Sequence, residues 1–131
     1  MIEFHLDPSS GVPTYVQLIQ QVHQALHLGL LEPGDRLPTA VQVVTSLAIN
    51  PNTVLKAYRD LEREGLVRAR PGLGTFIVGQ LPRTNPAAQA KFRKSMAGWL
   101  RSARDAGLSA EEIEAIYRTA FRGSFREEGV A

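Results

Sequence analysis

The sequence predicts a mainly α fold with a small β-hairpin, and three observations predict it. Helix starts and stops recur in order along the first half: Pro13 opens an apolar stripe closed by Gly29, Thr39 opens a second, and Asn50-Pro51 opens a third closed by Gly65. A Gly-rich connection, Pro71-Gly72-Leu73-Gly74, separates two short β-type runs. Beyond a proline-bearing stretch, two more amphipathic segments follow. The length of 131 residues suits one ordinary domain, or a small one with an appendage, and 44% hydrophobic residues supply a packed core.

Each element has a local reason. Ile2, Phe4 and Leu6 alternate with Glu3 and His5, the pattern of a short half-buried strand over residues 2–6. Asp7-Pro8-Ser9-Ser10-Gly11 breaks it. The first helix is expected from about Pro13 to Leu28, since Tyr15, Leu18, Ile19, Val22, Ala25 and Leu26 recur at helical spacing opposite a Gln- and His-rich face. Glu32-Pro33-Gly34-Asp35 is a turn. A short helix follows from Thr39 to Leu47, capped by Thr39, with Ala40, Val43, Val44 and Leu47 inward. The third helix starts at Asn50-Pro51, a favoured cap and first residue, and buries Val54, Ala57, Tyr58 and Leu61. Leu66–Arg70 and Thr75–Val78 read as the hairpin strands. Helix, helix, short turn, helix, hairpin is the order of a winged helix-turn-helix.

The organisation expected is therefore a winged helix-turn-helix over 1–79, a linker over 80–86, a two-helix C-terminal dimerisation segment over 87–123, and a frayed tail over 124–131. In the fourth helix Phe92, Met96, Trp99, Ala103 and Ala106 alternate spacings of four and three, the stripe of a helix packed on another helix. Ser109-Ala110-Glu111-Glu112 is a capping box for the fifth, whose apolar residues are Ile113, Ile116, Tyr117, Ala120 and Phe121.

Composition excludes several functions. The chain has no cysteine, so disulfides, thiolate chemistry and cysteine-built zinc sites are absent. There is no Ser/His pair in a recognisable motif and no phosphate-binding glycine loop, so neither catalysis nor a cofactor is expected. His23 and His27 are four apart on a polar helix face with no carboxylate nearby in sequence, and read as surface residues rather than metal ligands. The N-terminus lacks the basic flank and apolar run of a signal peptide, and no apolar stretch approaches the ~18 residues of a membrane span. A soluble, cytoplasmic protein without a membrane partner is expected. Net charge is only +2, yet eight basic residues and no acid lie between Arg68 and Arg104. That stretch reads either as a polyanion-binding surface or as a solvated face.

Four segments carry a family resemblance. Pro13-Thr14-Tyr15-Val16-Gln17-Leu18, Gly29 to Thr39 with its Leu-Glu-Pro-Gly-Asp-Arg-Leu-Pro core, Asn50 to Leu66, and Gly72-Leu73-Gly74-Thr75-Phe76-Ile77 resemble the first helix, the approach segment, the recognition helix and the wing of GntR-family repressors. They stand in the family's order and spacing across residues 11–78. The short two-helix remainder resembles the YtrA subfamily. The resemblance implies a homodimer that binds a palindromic double-stranded DNA operator and represses a nearby operon, often one for a membrane transporter.

The DNA-binding residues follow from the motif. The N-terminal end of the recognition helix, Asn50, Asn52, Thr53 and Lys56, is expected at base edges, with Asn50 also its cap. The resemblance puts Arg36 and Thr39 on phosphate; Arg70 flanks the wing and reads either as a further phosphate ligand or as an ordinary exposed strand residue, and Gly72 at the wing tip either allows close backbone approach or serves the turn geometry alone. Two positions depart from the family. Val41 and Leu73 stand where basic residues are frequent, which predicts lower salt dependence and a shifted operator. At Val41 an apolar contact, to a thymine methyl, replaces the charged one. A winged helix can also serve as a protein-docking module with weakened or non-specific DNA binding; Val41 and Leu73 favour that alternative, Thr53, Lys56 and Gly72 oppose it. For the C-terminal helices, Phe92, Met96, Trp99, Ala103, Ile113, Ile116, Tyr117 and Phe121 read as a dimer core. The alternative is a pocket for an unnamed small-molecule effector, lined by Trp99, Phe92, Tyr117 and Phe121.

Overall fold

The computed structural model describes residues 1–127. Its elements are α1 (Thr14–His27), α2 (Ala40–Leu47), α3 (Pro51–Arg63), β1 (Val67–Arg70), β2 (Gly74–Ile77), α4 (Pro86–Asp105) and α5 (Ala110–Glu127). They form two compact units, Met1–Pro86 and the chain from Ala87 onward.

The first unit is mainly helical with one antiparallel hairpin, pairing Val67 with Ile77 through Arg70 with Gly74. Its core takes Leu18 and Val22 from α1, Val43 from α2, Val54, Ala57 and Leu61 from α3, and Leu66, Val67 and Ile77 around the hairpin. Burying each large aliphatic contributes about 1.5–3 kcal/mol against conformational entropy. The helix ends behave as their residues dictate. Thr39 Oγ1 accepts from Gln42 N at 3.1 Å while Gln42 Oε1 accepts from Thr39 N at 2.9 Å, a reciprocal capping box. Asn50 Oδ1 accepts from Asn52 N at 2.8 Å. Gly65, at φ +78°, closes α3, and Leu66 N donates to Leu61 O at 3.1 Å.

Several boundaries differ from the sequence expectation. Residues 2–6 form no strand. Phe4 is buried as the alternation demands, but the segment's backbone is bonded by a side chain: His5 N donates to Gln21 Oε1 at 2.9 Å. The hydrophobic pattern was satisfied without a neighbouring strand. The Glu32–Asp35 turn instead delivers an unforeseen edge to the hairpin. Ile77 N donates to Asp35 O at 2.7 Å, Leu37 N to Thr75 O at 2.8 Å, and Arg36 bridges Phe76. Residues 80–86 are not a free linker but part of the first unit. Leu81 packs on the core, Pro82 O is 3.1 Å from His27 Nδ1, and the Arg83 guanidinium lies over Gly29.

In the second unit α5 runs on through Gly123 to Glu127, so residues 124–127 are helical rather than frayed. Tyr117, Phe121 and Phe125, spaced by four, stack with ring centroids 5.7 and 4.6 Å apart, which carries the helix across the glycine. The rest of the expected tail, 128–131, lies outside the described residues. Among the described residues no helix is long and apolar enough to cross a membrane.

Candidate nucleic-acid interface

The helix-turn-helix is α2, a turn and α3. The turn passes through Ala48 at φ 54°, a left-handed conformation that a non-glycine residue rarely adopts. One buried bond then fixes α3 to the start of α2: the Tyr58 hydroxyl donates to Pro38 O at 2.6 Å. Burial pushes the Tyr58 hydroxyl pKa far above its ordinary value of 10.0, so it stays a donor. At the other end Glu62 Oε2 accepts from Ala69 N at 2.8 Å, joining α3 to the first wing strand. The recognition helix, the helix before it and the wing are thus held as one surface.

Four expected residues meet there. Arg36, Thr39, Arg70 and Gly72 line a single open cleft of about 410 Å³ between the start of α2 and the wing, with Leu73 and Thr75. Arg36 reaches it through its bridge to Phe76, and its side chain crosses Gly74. A Cβ on Gly74 would stand 2.9 Å from Arg36 Nε, and its φ of +125° also favours glycine. Arg70 holds its guanidinium 5.2 Å from the Phe76 ring centroid. Thr39 spends its oxygen as an acceptor on its own helix but keeps an O–H to donate. Gly72 sits at φ +74° with open space where a Cβ would go, so turn geometry alone accounts for the glycine.

On α3, Asn50, Asn52 and Lys56 are exposed and Thr53 is half-buried. Asn50 is committed to capping. Lys56 Nζ lies 4.2 Å over the Tyr15 ring, which parks the ammonium at the start of α1. The sequence reading missed two residues of this face. Leu55 and Arg59 are exposed, and stand at i+3 and i+7 from Asn52. Helical spacing from the buried Val54, Ala57, Tyr58 and Leu61 was the signal that could have found them. Val41 is 74% exposed and Leu73 62%, as their positions imply.

The two histidines have separate structural partners. His23 Nε2 lies 2.9 Å from Glu64 Oε2, tying α1 to the end of α3, and His27 faces Pro82. The carboxylate that sequence proximity did not supply to His23 comes from 41 residues away. No group of three metal-ligating side chains occurs among the described residues.

In the second unit six of the expected dimerisation residues, Phe92, Met96, Trp99, Ile116, Tyr117 and Phe121, are exposed. Ala103 and Ile113 are buried in the single chain and offer no surface to a partner. Phe92, Met96, Trp99, Ile116, Tyr117 and Ala120 line one open, mainly apolar groove between α4 and α5. Phe121 lies outside that lining, so the four residues of the expected effector pocket are not gathered in one cavity.

Comparison with known proteins agrees with this geometry. The model of bacterial regulatory proteins of the gntR family matches residues 14–77. The HTH-type transcriptional repressor YtrA of Bacillus subtilis (strain 168) is 46% identical over 72 residues, 55% of this chain and 55% of that protein. The chain thus matches about half the length of YtrA. The HTH-type transcriptional regulator YhcF of the same organism is 32% identical over 104 residues, 79% of this chain and 86% of that protein. Among solved structures, YtrA from Sulfolobus acidocaldarius, a GntR-family transcription factor, has a TM-score of 0.51 and 26% identity, covering 92% of this chain and 97% of that one. The DNA-binding domain of AraR in complex with operator ORX1 has a TM-score of 0.50 and 26% identity, covering 57% of this chain and 93% of that one.

Proposed function

The chain belongs to the GntR family of bacterial regulatory proteins, and we propose that it works as a dimeric repressor that binds a palindromic operator near its target operon. DNA-binding transcription regulation is the activity of the family; the dimer, the palindrome and repression are the proposal. The observation that carries it is the joining of Arg36, Thr39, Arg70 and Gly72 in one cleft beside the exposed start of α3.

The roles divide by chemistry. Asn52, Thr53 and Lys56 meet base edges in the major groove, and Lys56 leaves the Tyr15 ring to do so. Asn50 keeps the helix start in place. Arg36, Arg70 and the Thr39 hydroxyl take phosphate oxygens, which set register without reading sequence. The wing backbone at Gly72 approaches the duplex. The exposed apolar groove of α4 and α5 is filled by the same surface of a second copy, which puts two recognition helices about a two-fold axis. Its site of action is the cytoplasm, where a bacterial operator lies.

Selection of duplexes from a random DNA library with the purified full chain tests this. Enrichment of a palindrome with half-sites about one helical turn apart is the expected result. Binding without enrichment, lost at moderate salt, would reduce the activity to electrostatic attraction and overturn the repressor reading.

A further inference from the structure

Large apolar side chains stand exposed on the first unit at Met1, Leu30, Val41, Leu55, Leu73 and Val78. Val41, Leu55 and Leu73 lie on α2, on α3 and in the wing turn, the three elements that the operator-binding reading turns toward DNA. Val41 is the second residue of α2, Leu55 the fifth of α3, and Leu73 belongs to the wing turn. Leu55 is 47% exposed and stands between Asn52 and Arg59 at steps of three and four, beside the polar residues of the same face. The fold does not need it there: Val54, Ala57, Tyr58 and Leu61 already supply the buried side of α3. Val41 is likewise outside the core that α2 enters through Val43.

A leucine can form no hydrogen bond with a base. The apolar group that a base pair presents in the major groove is the C5 methyl of thymine, and the minor groove presents none. A 5-methylcytosine carries the same methyl on the same edge. We propose that Leu55, together with Val41, reads pyrimidine C5-methyl groups in the major groove, so that binding responds to the methyl itself, on thymine or on methylated cytosine. This rests on the operator-binding reading above. In the operator-binding reading the wing, with Leu73, enters the minor groove, where no methyl is presented, so Leu73 supplies a control.

The test uses the full chain and a duplex selected from the random library. Each thymine is replaced in turn by uracil, which removes one methyl and nothing else. At contacted positions the Kd is expected to rise about four-fold, the equivalent of one buried methyl. Replacing such a thymine by cytosine weakens binding, and 5-methylation of that cytosine recovers about four-fold. Leu55→Ala removes the uracil effect at one set of positions and Val41→Ala at another, while Leu73→Ala keeps both. All three residues are exposed, and unchanged thermal midpoints verify the fold. Sequence-specific binding that is indifferent to every uracil substitution overturns methyl reading and leaves operator recognition standing. Uracil sensitivity that survives in both Leu55→Ala and Val41→Ala overturns the assignment to these residues. Failure to enrich any duplex overturns the operator reading, and this inference with it.

Discussion

The two units treat large apolar residues in opposite ways. In the first, Leu18, Val22, Leu37, Val54 and Leu61 are wholly buried, and a single cluster joins all three helices to the hairpin. In the second, Ile113 is buried, but Phe92 is 66% exposed and Trp99 38%, with Met96, Leu100, Ile116, Tyr117, Phe121 and Phe125 in the same range. A winged helix closes its own core; two helices cannot. The winged unit is therefore expected to draw its stability from within the chain, and the helical pair to draw it from assembly. The sharpest way to break the contrast is a pair of truncations. Leu61→Ala should cost about 3 kcal/mol by urea unfolding, from lost transfer energy and a cavity. Phe92→Ala, measured where the protein is monomeric, should change stability by less than about 0.5 kcal/mol. Equal losses would mean that the second unit is a folded core in its own right.

The converse substitution examines assembly. Trp99 lies in the groove between α4 and α5 with enough area to anchor an interface. Trp99→Ala should weaken dimerisation by about 2 kcal/mol or more, roughly thirty-fold in Kd, read by sedimentation across a dilution series. Stability of the winged unit should stay unchanged. A dimer of undiminished strength would locate the interface elsewhere and leave the exposed groove without an occupant.

This contrast also explains what was legible in the sequence. Helix starts at Thr39 and Asn50 were legible because a short polar side chain at a cap answers a local need, the unpaired N–H groups one turn on. The cleft residues were reached through the family resemblance, and the fold brings four of them together. What was hidden depended on partners distant in sequence. Phe4 had the alternation of a strand, but Gln21 took up the backbone beside it. Arg36 joined the sheet because its bridge partner Phe76 stands forty residues further along the chain, flanked by the bonds from Ile77 N to Asp35 O and from Leu37 N to Thr75 O. Leu55 carries no polar group to mark it as a DNA contact, and only its helical spacing puts it on the exposed side. The tail was read as frayed from Gly123, since a single glycine looked like a stop; the aromatic repeat through Phe125 was the stronger signal.

Within the winged unit, the Tyr58 hydroxyl separates geometric anchoring from simple burial. Tyr58→Phe keeps the ring and leaves Pro38 O without its buried donor, so a loss of about 1–2 kcal/mol is expected in thermal or urea unfolding. The pH dependence has a definite sign. The folded pKa of Tyr58 is raised above its ordinary 10.0, so the stabilisation is complete below that value. As pH climbs past it, the unfolded chain releases a proton that the folded one retains, and stability falls. The wild type should lose more stability than Tyr58→Phe between neutral pH and about pH 11. Parallel curves would mean that the hydroxyl ionises as easily folded as unfolded, and that the bond to Pro38 does not hold it.

Within the winged unit the smallest expected effect is a gain, at the turn between α2 and α3. Ala48 holds φ 54° and is exposed, so its methyl has strain to relieve and little packing to lose. The left-handed conformation costs a non-glycine residue about 1–2 kcal/mol. Glycine removes that cost but loses about 0.5–1 kcal/mol more in unfolded-chain entropy. Ala48→Gly should therefore stabilise the winged unit by roughly 0.5 kcal/mol, a rise of about 2–4 °C in Tm for a domain of this size. The backbone path is unchanged, so α3 keeps its angle to α2 and operator affinity should hold. A fall in Tm would show that entropy outweighs strain at this turn. A fall in affinity at constant Tm would show that the alanine stiffens the turn for DNA rather than for the fold.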